Sequence, residues 1–242
     1  MQKFKSAWTD HLEPLRELSE SIYKDARLYA GVGGKIAIAI SDYTEDLNGN
    51  KTGEGLMPII NDFKKEFGVN QRTLEEDLGG YMIAQRYADL ANRSDVHVSD
   101  EQLNSVMEIY EGLKKKYGED IIRFDHYAER IYDYQKRVAH LLVESGLMSQ
   151  NAYDAMLEKN PHYVPFYRIL DKEKIPQPEA VIKNAKGKGV LKARPTIKKI
   201  KGSDLDIRNP FASIVNNTAS IITNAHKNAI VKSVARDRKS VV

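Results

Sequence analysis

Residues 124–146 read FDHYAERIYDYQKRVAHLLVESG, and their periodicity decides the fold. Phe124, Ala128, Ile131, Gln135, Val138 and Leu142 recur at three and four residues, the spacing that lines one face of an α-helix. The pattern ends at Gly146, a residue favoured just past a helix C-terminus. Downstream, Ser149 is placed to cap a short helix through Leu157. Upstream, Ser99-Asp100-Glu101-Gln102 and Thr73-Leu74-Glu75-Glu76 have the form of capping boxes, in which a hydroxyl takes the third helical N–H and a Glu or Gln reaches back. They predict helices ending near Tyr117 and Ala91. Leu56 to Phe67 gives a short amphipathic helix stopped by Gly68, and Leu15, Leu18, Ile22, Ala26 and Tyr29 mark a stripe along a helix from about Asp10 to Ala30. Between them, Gly31-Val32-Gly33-Gly34-Lys35 is expected to be a flexible turn at a helix terminus. Ile36 to Ile40 is too short for periodicity to separate a buried helical turn from a strand, and Tyr43 to Glu54, with Asn48-Gly49-Asn50, reads as a loop.

The character changes after Arg168. Between Glu179 and Asp204 no acidic residue intervenes, while Lys183, Lys186, Lys188, Lys192, Arg194, Lys198, Lys199 and Lys201 supply positive charge among Gly and Pro. That stretch is either a flexible connector or a basic β-hairpin arm; it either binds phosphates through charge alone or is a solvated linker. Asn209-Pro210 then has the form of an N-cap followed by proline in the first turn, and Phe211, Ile214, Ile221, Ile222, Ala225 and Ala229 continue at helical spacing. The apolar face of that helix needs a partner from elsewhere.

With 41% hydrophobic and 29% charged residues, the 242-residue chain has ample length for a core, and a net charge of +3 decides nothing about partners. The absence of cysteine excludes disulfides, Cys-ligated zinc and a thiol nucleophile. No apolar run reaches the ~18–20 residues of a membrane span. The glycine-rich turn fails the phosphate-loop pattern at Tyr29 and at Ile36, where a glycine and a hydroxyl are required. None of His11, His97, His126, His140, His162 and His226 stands in a metal-binding spacing, Asp125-His126 with Glu129 reads as a surface ion pair, and no Gly-x-Ser-x-Gly is present. Glu75, Glu76 and Asp77, and Glu129 with Asp133, read as solvated helix surface. Tyr127, Tyr132 and Tyr134, interleaved with Arg130, Lys136 and Arg137, are read as core rings with wet hydroxyls in preference to a stacking platform for single-stranded nucleic acid. No catalytic residue, metal ligand or cofactor is expected.

One feature points to a family. Ser145-Gly146-Leu147-Met148-Ser149, then Tyr163-Val164-Pro165-Phe166 and Arg168, then Gly202-Ser203 and Asn209-Pro210-Phe211, resemble in order the helical modules of large polyvalent proteins. Those are very long multi-domain chains of bacteriophages and integrative elements. Leu56-Met57-Pro58-Ile59-Ile60 and the helix carrying Tyr81 to Leu90 fit the same likeness. The resemblance implies a non-catalytic structural or interaction module, in the bacterial cytoplasm or the phage virion and delivered with DNA. Its partners are then other domains of the parent polypeptide, and DNA through the basic segment. The alternative it allows is an accessory nucleic-acid-binding domain of a DNA-processing enzyme. Physically, Pro165 keeps Val164 out of helix and the motif reads as a structural turn.

The expected architecture is all-α. It comprises an irregular multi-helix bundle (residues 1–170), a basic loop or small hairpin (171–208) and a protruding C-terminal helix (209–236) whose partners lie partly beyond a fragment. Residues 237–242 match the translation of a common sequencing adapter and are expected to be a non-native tail.

Overall fold

A computed structural model describes residues 31–163 and 210–240. The protein is an all-α multi-helix bundle with one small two-stranded sheet. Helix α1 (Val32–Ser41) leads into strands β1 (Tyr43–Glu45) and β2 (Lys51–Glu54), then α2 (Leu56–Phe67), α3 (Gln71–Ala91) and α4 (Asp100–Tyr117). A 3₁₀ turn at Gly118–Ile122 enters α5 (Arg123–Ser145), followed by α6 (Gln150–Lys159) and, after the segment outside the described residues, α7 (Pro210–Ser240).

Local chemistry sets most of the boundaries. Ser99 and Gln102 form the expected capping box of α4, Ser149 accepts from the Ala152 N–H at the start of α6, and Gly68 and Gly146 end α2 and α5 with φ of 63° and 72°. The start of α3 differs from the expectation: its N-cap is Asn70, whose side chain accepts from the Thr73 N–H, so Thr73 lies inside the first turn. The Asn70 amide oxygen thereby takes the Thr73 N–H that the Glu76 side chain was expected to accept.

The segment from Tyr43 to Glu54 is not a loop but an antiparallel hairpin, with Tyr43 opposite Glu54, Thr44 opposite Gly53 and Glu45 opposite Lys51. The Asp46 carboxylate closes its turn by accepting from the backbone N–H groups of Asn48 and Asn50. Arg137 of α5 fixes the hairpin to the bundle, donating from Nε to Thr44 Oγ1 at 3.1 Å and from Nη2 to the Glu54 carbonyl at 3.0 Å. At Gly55 the chain returns so closely over the end of α1 that a Cβ would lie 2.8 Å from the Ala39 carbonyl oxygen and 3.0 Å from the Asp42 nitrogen. Only glycine fits there without moving backbone. The glycines at 33 and 34, expected as a turn, stand in the first turn of α1, and Ile36 to Ile40 are helical.

Among the described residues a main apolar core is accompanied by a small second cluster of Ile83, Ala84 and Val106. Ile40, Ile59, Ile60, Phe63, Leu74, Leu78, Phe124 and Ile131 are all fully shielded from solvent. Phe63 meets Phe67, Phe124 and Tyr127 at ring-centroid distances of 4.5, 5.0 and 5.1 Å, the latter two edge-on. Such tilted and edge contacts suit the quadrupoles of the rings.

The C-terminal helix is expected to protrude, and over its first half it does not. α7 packs along α5 and against α1 and α3, burying Phe211, Ile214, Val215, Ile221, Ile222 and Ala225 in the common core. Gly79 permits the approach, because a Cβ on it would stand 3.1 Å from Pro210 Cγ. Farther on, Asn228 donates to the Ser145 carbonyl at 2.8 Å, capping the C-terminal end of α5. Val231 is 63% exposed and Lys232 and Ala235 are exposed too, and the helical backbone continues through Ser240. The apolar face therefore finds its cover inside this chain. The expected helix at 10–30 and the basic stretch lie outside the described residues.

Candidate functional site

The densest polar cluster forms where the C-terminal half of α3 meets the middle of α5 and the turn after α6. It begins with residues that an amphipathic helix would place on its flank: Gln85, Arg86 and Asp89 follow one another at helical spacing along α3, and Arg93 stands just past its C-terminal end. Asp89 receives His162, whose Nδ1 lies 3.0 Å from Oδ1 and whose backbone N–H donates to Oδ2 at 3.3 Å. With the ring proton on Nδ1, as bonding to a carboxylate favours, Nε2 faces outward, 4.0 Å from the Glu129 carboxylate. The imidazole lies against the Tyr132 ring at 5.4 Å.

Arg86 lies deeper. It is 8% exposed, and its Nη2 donates to Asn160 Oδ1 at 2.6 Å, an acceptor shared with Arg93 Nη1 at 3.0 Å. Burial pulls the Arg86 guanidinium below its ordinary range, opposed by the nearby Asp89 charge. Nε and Nη1 are buried without a hydrogen-bond partner. Alongside, Tyr132 donates to Gln85 Oε1 at 2.8 Å, and Gln85 Nε2 and the Tyr81 hydroxyl both donate to Asp125 Oδ1 at 2.9 and 2.6 Å. Burial, then the Asp125 hydrogen bond and charge, raise the Tyr81 phenol well above its ordinary value.

Similar ties recur over the bundle. Arg130 grips Glu54 through Nε and Nη2 at 2.8 and 2.6 Å and reaches Asp62 at 2.8 Å, linking α5 to β2 and α2. Tyr127 donates to Glu66, which also pairs with Arg123, and burial followed by that bond pushes the phenol up to about 12. Asp77 accepts from Lys116 at 2.6 Å and from Tyr117. Asp77 is thus buried and paired across helices, and Glu75 is buried too, a correction to their reading as solvated surface; helix α4 covers the flank on which Asp77 stands.

Asp125 and His126 do not form the expected ion pair, since Tyr81 and Gln85 hold Asp125, and Glu129 faces His162 instead. Tyr127, Tyr132 and Tyr134 are core residues at 3%, 1% and 0% exposure, as expected, and their hydroxyls are bonded to Glu66, Gln85 and Thr218. Of the family motif, Tyr163 accepts from Gln135 Nε2 through its carbonyl at 2.9 Å, and Pro210 is buried at the start of α7. Val164, Pro165, Phe166, Arg168, Gly202, Ser203 and Asn209 lie outside the described residues, as do Lys183, Lys186, Lys188, Lys192, Arg194, Lys198, Lys199 and Lys201.

Chemically, the cluster orients an imidazole and shelters a guanidinium, and each tie joins elements distant in sequence. Among the described residues no three His, Asp or Glu side chains are arranged to hold a metal ion, and no helix is long and apolar enough to cross a membrane. No family model, curated protein or solved structure matches the chain. The likeness to polyvalent-protein modules rests on the sequence motifs alone.

Proposed function

We propose that this chain is a non-catalytic structural and interaction module of a large polyvalent protein from a phage or mobile element, associated with the virion and delivered with DNA. The observation that supports it best is the use of the ionisable side chains. Glu54, Glu66, Asp77, Asp89 and Asp125 each accept hydrogen bonds from a different helix, turn or strand. A carboxylate held by a neighbouring element positions that element; it is not left poised at an open cleft for proton transfer. The test is the native polypeptide. Antibodies against residues 31–163 should recover, from phage particles or donor cells, a chain far heavier than the 27.5 kDa of this sequence and bearing further domains. A native species of 27.5 kDa would overturn the assignment.

The second reading is an accessory nucleic-acid-binding domain, favoured by the acid-free basic run from Lys183 to Lys201. It requires weak, sequence-blind DNA binding by the full chain that falls steeply with salt. Replacing Lys186, Lys188, Lys198 and Lys199 by Gln should abolish most of that binding. Salt-insensitive binding, or none, excludes it.

A further inference from the structure

His226 takes no part in the cluster above, and among the described histidines it is the buried one. It sits on α7 one turn beyond Ile222 and is 6% exposed, at the joint where α7 meets α1, the hairpin and α5. A small cavity of about 20 Å³ adjoins the ring, room for roughly one water. Its wall is apolar from α5, through Val138 and Leu141, and from α7, through Ile222. The polar side comes from α1 and the hairpin: Lys35, Tyr43, Thr44, Glu45 and Asp46.

The charged groups on that side are already engaged. Lys35 pairs with Glu45 at 3.1 Å, Asp46 is held by the Asn48 and Asn50 backbone N–H groups, and the Tyr43 ring lies under the Lys51 ammonium at 5.0 Å. A neutral imidazole fits such a place. An imidazolium would be a second cation beside Lys35, largely desolvated, and would have to take Glu45 from it.

We propose that His226 is an acid-sensitive latch: its neutral ring lets α7 close against α1 and the hairpin, and its protonation opens that joint while the Phe211–Val215 end of α7 stays docked. Burial first, and then the Lys35 charge, hold the imidazole below its ordinary value, with Glu45 opposing. A histidine whose folded value is depressed leaves stability intact above the unfolded value, ~6.5, and removes it progressively as the pH falls below that toward the folded value. The latch is therefore closed at neutral pH and opens in mildly acidic conditions.

Hydrogen exchange of the full chain at about pH 7.5 and about pH 5.5, corrected for intrinsic rates, tests this across the window in which an ordinary histidine titrates. In the unaltered protein, amides of residues 221–230 should lose protection on acidification while those of α4 do not. His226→Gln should remove the pH response, and Lys35→Met should shrink it, because relieving the second cation brings the folded value up toward the unfolded one. An equal loss in His226→Gln, or no loss in the unaltered protein, overturns the proposal. Should His226→Gln fail to fold, the imidazole resonances of the unaltered protein decide. A midpoint below the ordinary histidine range, tracked by α7 amide shifts, supports the latch. A midpoint at or above that range, or one that α7 does not follow, overturns it.

Discussion

Removing residues 203–242 tests the placement of α7 directly. Were this helix a loosely attached appendage, the remaining bundle would melt unchanged. The structure requires the opposite, since Phe211, Ile214, Val215, Ile221 and Ile222 are at most 8% exposed and share one core with α1, α3 and α5. Burying each large apolar side chain is worth ~1.5–3 kcal/mol, so the set matches the ~5–15 kcal/mol net stability of an ordinary domain. The shortened chain should accordingly lose its cooperative transition, because Leu141 and Val138 of α5 are left facing water. A graded version uses Ile214→Ala, which removes a fully buried side chain and is expected to cost ~2–5 kcal/mol. Val231→Ala, at a site 63% exposed, should stay within ~0.5 kcal/mol. Urea unfolding followed by circular dichroism reads both. With a slope of ~1–3 kcal/mol/M, the Ile214 variant should lower the midpoint by about 1 M or more at unchanged slope. Equal midpoints for the two variants, or a truncated chain that melts as before, would refute this packing.

Asn70→Ala should destabilise the protein by ~1 kcal/mol through loss of the α3 cap, with Thr73→Ala costing clearly less; equal costs in urea unfolding would return the cap to Thr73. Gly55→Ala should cost ~1–3 kcal/mol by forcing the Ala39 carbonyl and the Asp42 backbone apart, read as a fall in melting temperature absent from Gly33→Ala, where a Cβ meets nothing within 4 Å. Glu54 is held below its ordinary value first by the Arg130 hydrogen bond, opposed by desolvation and aided by the Arg130 charge. Its stabilisation is thus full above the unfolded carboxylate value, ~4.3, and disappears as the pH falls through the lower folded value. Arg130→Gln should lower stability at neutral pH and flatten that acid limb, and an unchanged limb in the pH dependence of unfolding would contradict the pairing.

The helices were legible where their signals are local. Ser99 with Gln102, Gly68 and Gly146 act within one turn of themselves, and α5 keeps Phe124, Ala128, Ile131, Gln135 and Val138 buried at helical spacing along most of its length. The hairpin was not legible, since strands of three and four residues give alternation too little length to register, and only Thr44 of β1 is buried. What fixes it to the bundle is Arg137, some ninety residues away. The polar cluster was hidden for the same reason. Asp89 and His162 are 73 residues apart and Arg86 and Asn160 are 74 apart, with nothing in their immediate neighbours to set them off from ordinary helix surface. Asp77 misled because three consecutive acidic residues look solvated until α4 covers the last of them.

The cover supplied by α7 also carries a cost during synthesis. α5 is complete at Ser145, but the residues that close over it begin only at Phe211. At ~5–20 residues per second a ribosome takes on the order of several seconds to make the stretch between them. For that interval the trough lined by Val138, Leu141 and the inner face of α1 stands open on the nascent chain. A premature stop between residues 146 and 210 leaves a product without the residues that cover it.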